Sequence, residues 1–229
     1  MTYVMSDIHG MYEKYMKMLE LIGLSGEDTL YILGDVVDRG DKPTEVLLDM
    51  MKRPNVYPVM GNHEIMALDT MDIMLGGIEG ADLPVPVEEY IADWLKNGGA
   101  TTIEGFAGLS YSDRLNVIDY ISDFSPFEAV DIGEKSFIMV HAGFDNFSPG
   151  RKLSDYAIEE LVWHRPNPLV RYFEDESIYV VAGHTPTFIM GGEASIIKEN
   201  GNIFIDCGAC SEKGRLACLC LETMEEFYV

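Results

Sequence analysis

Short apolar runs recur along this chain, each followed at once by a polar loop. Between several of them, apolar residues return every three or four positions. Tyr3-Val4-Met5, Leu30-Tyr31-Ile32-Leu33 and Val56-Tyr57-Pro58-Val59-Met60 read as buried parallel strands. After the first, Tyr12, Tyr15, Met16, Leu19 and Ile22 predict an amphipathic helix ending near Gly23. After the second, Pro43 opens a helix with Val46, Leu47, Met50 and Met51 on its apolar side. Residues 63–75 read as the third helix, with Ile65, Leu68, Asp72 and Leu75 along a partly apolar face and methionines as core filler.

The pattern then changes. Residues 76–86 hold three glycines and two prolines, which cannot continue a helix, and read as an exposed loop. Helical patterns follow at 87–95 and 113–121, so 76–123 reads as a helical insertion beside the site. Its plain role is to cover the sheet, and a more specific one is substrate selection. In the second half, 127–132 and 135–140 are strands joined by Gly133-Glu134, and 154–162 is a short helix with Ser154 as its N-cap. Strands at 194–197 and 202–205 meet around Asn200-Gly201, and further strands are expected at 215–221 and 227–229. A parallel first half and a hairpin-rich second half imply an α/β chain built on two packed mixed sheets.

Composition narrows the partners. With 229 residues, 47% of them hydrophobic, the chain can bury a sizeable core in one domain or two small ones. Its 16 Lys and Arg stand against 39 Asp and Glu, a formal net charge of -23, and such a field repels long polyanions. Nucleic acid is therefore not an expected partner. No apolar run approaches bilayer-spanning length, and the first residues enter a strand without the basic, apolar and cleavage regions of a signal, so no membrane partner and a cytoplasmic location are expected. The spacing Cys207-x-x-Cys210 is that of a zinc or redox pair. Cys218 and Cys220, however, lie within the apolar run 216–221, and core packing is the reading preferred for all four cysteines.

Chemistry is concentrated where strands end. Five apolar strands run directly into Asp7-Ile8-His9-Gly10, Gly34-Asp35-Val36-Val37-Asp38-Arg39-Gly40, Gly61-Asn62-His63-Glu64, His141-Ala142-Gly143 and Gly183-His184-Thr185. Four of the five histidines fall in these loops. The carboxyl edge of an α/β sheet is where loops converge on ligands. Since these loops must meet to form one site, a single domain over residues 1–229 is expected.

Taken in order, these motifs resemble the phosphoprotein phosphatase branch of the calcineurin-like metallophosphatases, most of all its small bacterial and bacteriophage lambda type serine/threonine phosphatases. The resemblance implies that family's central β-sandwich flanked by helices. It implies two divalent metal ions, with Asp7 and His9 on the first, Asp35 bridging, and Asn62, His141 and His184 on the second. These oxygen and nitrogen donors suit manganese, iron or zinc, and manganese is expected. Two such cations lower the pKa of a bridging water and neutralise the phosphoryl oxygens. By the same resemblance His63 is the general acid that protonates the leaving oxygen, with Asp38 holding its ring. Arg39 binds phosphate, alongside Asn62, and Arg165 in Leu161-Val162-Trp163-His164-Arg165 is chosen as the second arginine over Arg151 and Arg171. His164 reads as a loop residue and Trp163 as packing.

The implied activity is phosphomonoester hydrolysis by direct transfer to water, on a phosphorylated protein or peptide or a small phosphoester. A dinucleoside polyphosphate hydrolase shares the motifs but should display more basic residues than Arg39, Lys42 and Arg165. A protein that binds phosphate without catalysis is the third reading, and it should lack a ligand or the acid; none is missing here.

Overall fold

The computed structural model describes residues 1–75 and 86–229. The loop expected at 76–86 therefore lies almost wholly outside the described residues. The first sheet is built from β1 (Thr2–Met5), β2 (Thr29–Ile32), β3 (Val56–Pro58), β9 (Ala217–Cys220) and β10 (Glu226–Tyr228), in the order β10-β9-β1-β2-β3. The second contains β4 (Glu128–Ile132), β5 (Lys135–Met139), β6 (Ile178–Ala182), β7 (Ile197–Glu199) and β8 (Asn202–Phe204), ordered β4-β5-β6-β8-β7. β1, β2 and β3 are parallel, as are β5, β6 and β8, while the outer pairs are antiparallel. Each sheet is mixed, and the chain's last two strands return to the first sheet.

Alternation along the strands explains why they read as continuous apolar runs. Val4, Met139, Phe137, Val181, Ile203, Ala217 and Leu219 meet between the sheets, while Met5, Ile32, Cys218 and Cys220 face one helical layer and Ile138, Val180 and Phe204 face the other. Both faces of both sheets are thus covered, as parallel strands require. Cys207, Cys218 and Cys220 pack within these clusters, and burial pushes the Cys207 thiol up to about 12, away from the thiolate that metal binding needs.

The first helical layer comprises α1 (Tyr12–Leu21), α2 (Pro43–Met50), α3 (Asn62–Met74), α4 (Val87–Lys96), α5 (Ala100–Ala107) and α6 (Tyr111–Ser122). Pro43 opens α2, and Ser110 caps α6 by accepting the Asp113 N–H at 3.2 Å. α3 buries Met66, Ala67, Thr70 and Met71 most deeply, while Ile65, Leu68 and Leu75 of the expected line pack partly buried against the same core. α4 and α6 both pack against it, so a single face does not describe what it buries. α5 was not expected, since a glycine and two threonines within it obscure its apolar residues.

Three other expectations are corrected. Residues 154–162 are not one helix: a 3-10 turn at Leu153–Asp155 precedes α7 (Ile158–Val162), and Glu160 caps that helix by accepting the Ala157 N–H at 2.9 Å. Ser154 is therefore not the N-cap. The strand expected at 194–197 begins only at Ile197, because Glu199 pairs with Asn202 across the Asn200-Gly201 turn and this register starts the ladder there. Trp163 is 46% exposed instead of packed, its ring set edge-on to His184 with centroids 6.4 Å apart.

Candidate active site

All five signature loops leave the carboxyl ends of β1, β2, β3, β5 and β6, and the two sheets bring them to one rim. The backbone ties them together there. Asp7 N–H donates to the Gly34 carbonyl at 3.1 Å, His9 N–H to Asp35 O at 2.9 Å, and Gly183 N–H to His141 O at 2.7 Å. Glu64, fully buried, accepts N–H bonds from Asp35 (2.7 Å), Val36 (2.8 Å) and Gly61 (3.0 Å), joining the second signature to the third. A Cβ on Gly34 would lie 2.6 Å from Gly61 Cα and 2.8 Å from His141 Nδ1, so this crossing accommodates only glycine.

The loops are tightly wound. Of the nine non-glycine residues with left-handed φ among the described residues, six are Asp7, His9, Asp35, Asp38, Arg39 and His184. Each such residue costs about 1–3 kcal/mol and persists only where its surroundings over-determine it. Here the cross-loop hydrogen bonds supply that constraint.

Asp35 stands at the centre. Its carboxylate shares one set of ligand atoms with His9 and His63 and another with His141 and His184, each set lying within 4.8 Å. His141 Nδ1 donates to the Leu33 carbonyl at 2.7 Å, which leaves Nε2 without a proton in the neutral ring. Around that Nε2 lie Asn62 Oδ1 at 3.0 Å, His184 Nδ1 at 3.2 Å and Asp35 Oδ1 at 3.4 Å. Converging lone pairs of this kind fit a divalent cation, and the buried His184 Nε2 has no hydrogen-bond partner among the described residues. On the other side His9 Nδ1 donates to Val37 O at 2.9 Å, so His9 Nε2 is again an acceptor, 3.6 Å from Asp35 Oδ2. Asp7 does not join either compact set; its Oδ2 accepts the His184 N–H at 3.0 Å.

Electrostatics agree with this geometry. Burial pushes His9 and His184 down to about 3, the neutral state in which imidazole ligates metals. Burial would raise Asp35, but the surrounding His141, His63, His9 and His184 outweigh it and hold the carboxyl below its ordinary range. Asp7 is pushed well up by burial and by the Asp206 and Asp35 carboxylates, a repulsion that a bound cation would relieve.

His63 has a different setting. Its Nδ1 donates to Asp38 Oδ2 at 2.6 Å, both side chains being buried. Burial opposes charge on this ring, yet Asp35 and the Asp38 hydrogen bond raise it above its ordinary value. Arg39 lies across the opening, donating from Nη1 to His9 Nε2 at 2.7 Å and from Nη2 to His63 Nε2 at 2.8 Å. Arg165 reaches the same rim, with Nη1 3.4 Å from Thr185 Oγ1. Arg151 instead pairs with Glu160 at 2.6 Å, and Arg171 donates to the Phe173 and Asp175 carbonyls at 2.5 and 3.1 Å. His164 is a loop residue 3.7 Å from Asp145.

Several polar residues of the site escaped the sequence reading. Asp206 follows β8 and is buried, which pushes it up to about 7. Ile203-Phe204-Ile205-Asp206-Cys207-Gly208 has the same apolar-run-then-Asp-then-Gly form as the other loops, and that was its signal. Trp94 and Thr102 had none, because each sits in a helix as an ordinary core residue. Yet Trp94 Nε1 donates to both Asp38 oxygens at 3.0 and 2.9 Å, and Thr102 Oγ1 donates to Asp38 Oδ1 at 2.6 Å.

Known proteins match this description. Serine/threonine-protein phosphatase 2 of Salmonella typhimurium is 26% identical over 82% of this chain and 78% of its own. The symmetrical bis(5'-nucleosyl)-tetraphosphatase of Chromobacterium violaceum is 32% identical over 41% of this chain and 36% of its own. Among solved structures, one provisionally assigned as a diadenosine tetraphosphatase superposes with a TM-score of 0.66 at 17% identity, covering 100% of this chain and 92% of that one. A Saccharomyces cerevisiae protein serine/threonine phosphatase with similarity to human PP5 gives 0.59 at 16% identity, covering 100% and 79%. At such identities the structures attest the fold alone. The sequence profile described as calcineurin-like phosphoesterase matches residues 2–203. The chain therefore belongs to the calcineurin-like phosphoesterase family of hydrolases, and it is similar to the phosphoprotein phosphatases within it.

Proposed function

We propose that this chain is a single metallophosphoesterase domain, with a helical insertion at 76–123, that hydrolyses phosphomonoesters by direct transfer to water, its substrate being phosphoserine or phosphothreonine in cytoplasmic proteins. Asp7, His9 and Asp35 would hold one divalent cation and Asp35, Asn62, His141 and His184 a second; these thiolate-free oxygen and nitrogen donors suit manganese, iron or zinc rather than copper or an iron-sulfur cluster, and manganese is the ion we propose. Bound there, the pair supplies activation of the attacking water and neutralisation of phosphoryl charge.

The chain's own residues do the rest. Arg39, which donates to His9 and His63, presents a planar fork to phosphate oxygens, and Arg165 presents a second. When phosphate takes the Arg39 fork, His63 Nε2 is freed to carry a proton, while Asp38 keeps the ring aimed through Nδ1. That proton passes from Nε2 to the departing oxygen.

The observation that supports phosphoester hydrolysis is this His63–Asp38 pair at 2.6 Å, placed to protonate a poor alkoxide leaving group. Anhydride hydrolases share the motif, so the choice of an ester rests instead on how few cations lie near the site. The rival, cleavage of a dinucleoside tetraphosphate, is favoured by the tetraphosphatase relative and by a cavity of about 290 Å³ beside Arg165, lined by Phe144, Phe147, Tyr172 and Val170. Against it, Lys42 is engaged by Glu13, which leaves few cations for a long anionic chain.

The test compares wild type and His63→Asn, with manganese, on a phosphoserine peptide, nitrophenyl phosphate and diadenosine tetraphosphate. The peptide should turn over faster than the dinucleotide. His63→Asn should cost ~10²–10⁴-fold in kcat on the peptide and far less on nitrophenyl phosphate, whose leaving group needs no proton. Preferred cleavage of the dinucleotide would overturn the protein substrate, and no turnover of any ester would leave only a phosphate-binding role.

A further inference from the structure

We propose that Trp94 on α4 and Thr102 on α5 are positioning residues for the acid, so that the helical segment between α3 and β4 forms part of the proton-transfer apparatus. The inference rests on the reading of His63 as the general acid.

Asp38 is fully buried, and three side chains donate to it. His63 Nδ1 and Trp94 Nε1 share Oδ2 at 2.6 and 2.9 Å, while Thr102 Oγ1 and Trp94 Nε1 share Oδ1 at 2.6 and 3.0 Å. Thr102 Oγ1 also accepts the Asp38 N–H at 2.9 Å, which closes a reciprocal clasp around one residue. The next amide is held too: Arg39 N–H donates to the Gly98 carbonyl at 3.0 Å, in the turn between α4 and α5. Asp38 and Arg39 have φ of 70° and 66°, so these contacts fall where the backbone is strained.

An ionised carboxylate offers about four lone-pair directions, and with His63 alone bound it could rotate about its Cβ–Cγ bond. The indole and hydroxyl donors take the opposite side and stop that rotation. They aim one lone pair at His63 Nδ1 and, through the rigid ring, fix where Nε2 points. Aim matters because a misplacement of about 1 Å in a reacting group can cost ~10²-fold in rate. An indole N–H and a threonine hydroxyl cannot themselves supply the proton at neutral pH, so their part is to hold.

Packing alone does not account for the choice of residues. A phenylalanine and a valine would fill these buried positions without a polar atom to satisfy. The turn is shaped around the indole as well: a Cβ on Gly99 would lie 2.7 Å from three atoms of the Trp94 ring, so glycine is needed for the segment to fold against it.

The experiment measures kcat on a phosphoserine peptide and on nitrophenyl phosphate for Trp94→Phe, Thr102→Val, Thr102→Ser and His63→Asn, and for the first two in the His63→Asn background. Metal content and thermal unfolding are measured alongside. Trp94→Phe and Thr102→Val should each lose ~10-fold more on the peptide than on nitrophenyl phosphate, with KM little moved. Thr102→Ser, which restores the hydroxyl, should recover the loss, and neither variant should add to the loss of His63→Asn. If Trp94→Phe does not fold, the Thr102→Val and Thr102→Ser pair decides alone. Equal losses on both substrates for the folded variants, or losses that add in full to that of His63→Asn, would overturn the positioning role. If His63→Asn itself loses equally on the two substrates, the acid reading falls and this role falls with it.

Discussion

The five strand-end loops and the helical segment of α4, α5 and α6 meet at Asp38, yet they are built from opposite materials. The loops bury charged and polar groups in left-handed backbone, held by a lattice of cross-loop hydrogen bonds centred on Glu64. The helices bury Trp94, Phe106, Val117, Ile118 and Ile121 in the manner of any core. Groups that touch phosphate or metal must carry particular donor atoms, so few residue types serve. Groups that aim those residues need only a donor in the right place, and Trp94 and Thr102 supply one without departing from a core composition.

That contrast can be broken first at its centre. Asp35 is the one carboxylate common to both sets of ligand atoms. Asp35→Asn should leave the protein folded, abolish detectable turnover and reduce metal content at both positions. Two tightly held ions in the folded variant, by elemental analysis, would show that the bridging assignment is wrong.

A smaller loss is expected at the rim. Arg165→Ala removes a charge-assisted contact worth about 1.5–3 kcal/mol, so kcat/KM should fall ~10–100-fold with KM raised. Arg151→Ala should leave kcat/KM near wild type and lower the melting temperature, since Arg151 pairs with Glu160 and lies 3.8 Å over the Tyr156 ring. The reverse pattern would move the second phosphate contact from Arg165 to Arg151.

The smallest effect sharpens the distinction within the helical segment itself. α6 contributes no side chain to Asp38, and Ser110 only caps it. Ser110→Ala should cost about 0.5–2 kcal/mol of stability in a denaturant titration and leave the ratio of peptide to nitrophenyl phosphate turnover unchanged. A change in that ratio would mean that α6 also governs the acid.

Much of this protein was legible before folding because two of its codes are local. Apolar runs ending in Asp, His and Gly marked β1, β2, β3, β5 and β6 and the residues that follow them. The turn chemistry at Gly133-Glu134 and Asn200-Gly201 marked the hairpins. Local codes fail where two of them compete or where the tertiary surroundings decide. The N-cap expected at Ser154 was lost to a competing local cap, Glu160, whose carboxylate accepts the N–H of Ala157 three residues before it. Trp163, which reads as packing, lies exposed beside His184 because its helix ends at the rim.

What the sequence by itself determined is the inventory of chemistry: which residues can ligate a cation, carry a proton or grip a phosphate, and which strands precede them. Tertiary structure decided how that inventory is aimed. Burial holds His9 and His184 in the neutral form while Asp35 and Asp38 keep the His63 ring able to hold charge, although all three are histidines in similar loops. Packing likewise made a tryptophan and a threonine, 56 and 64 residues beyond Asp38, the donors that hold it. The physical reason is common to both outcomes. The strength and direction of a buried electrostatic contact depend on what surrounds it in space, and no local pattern of residue types records which distant side chain that will be.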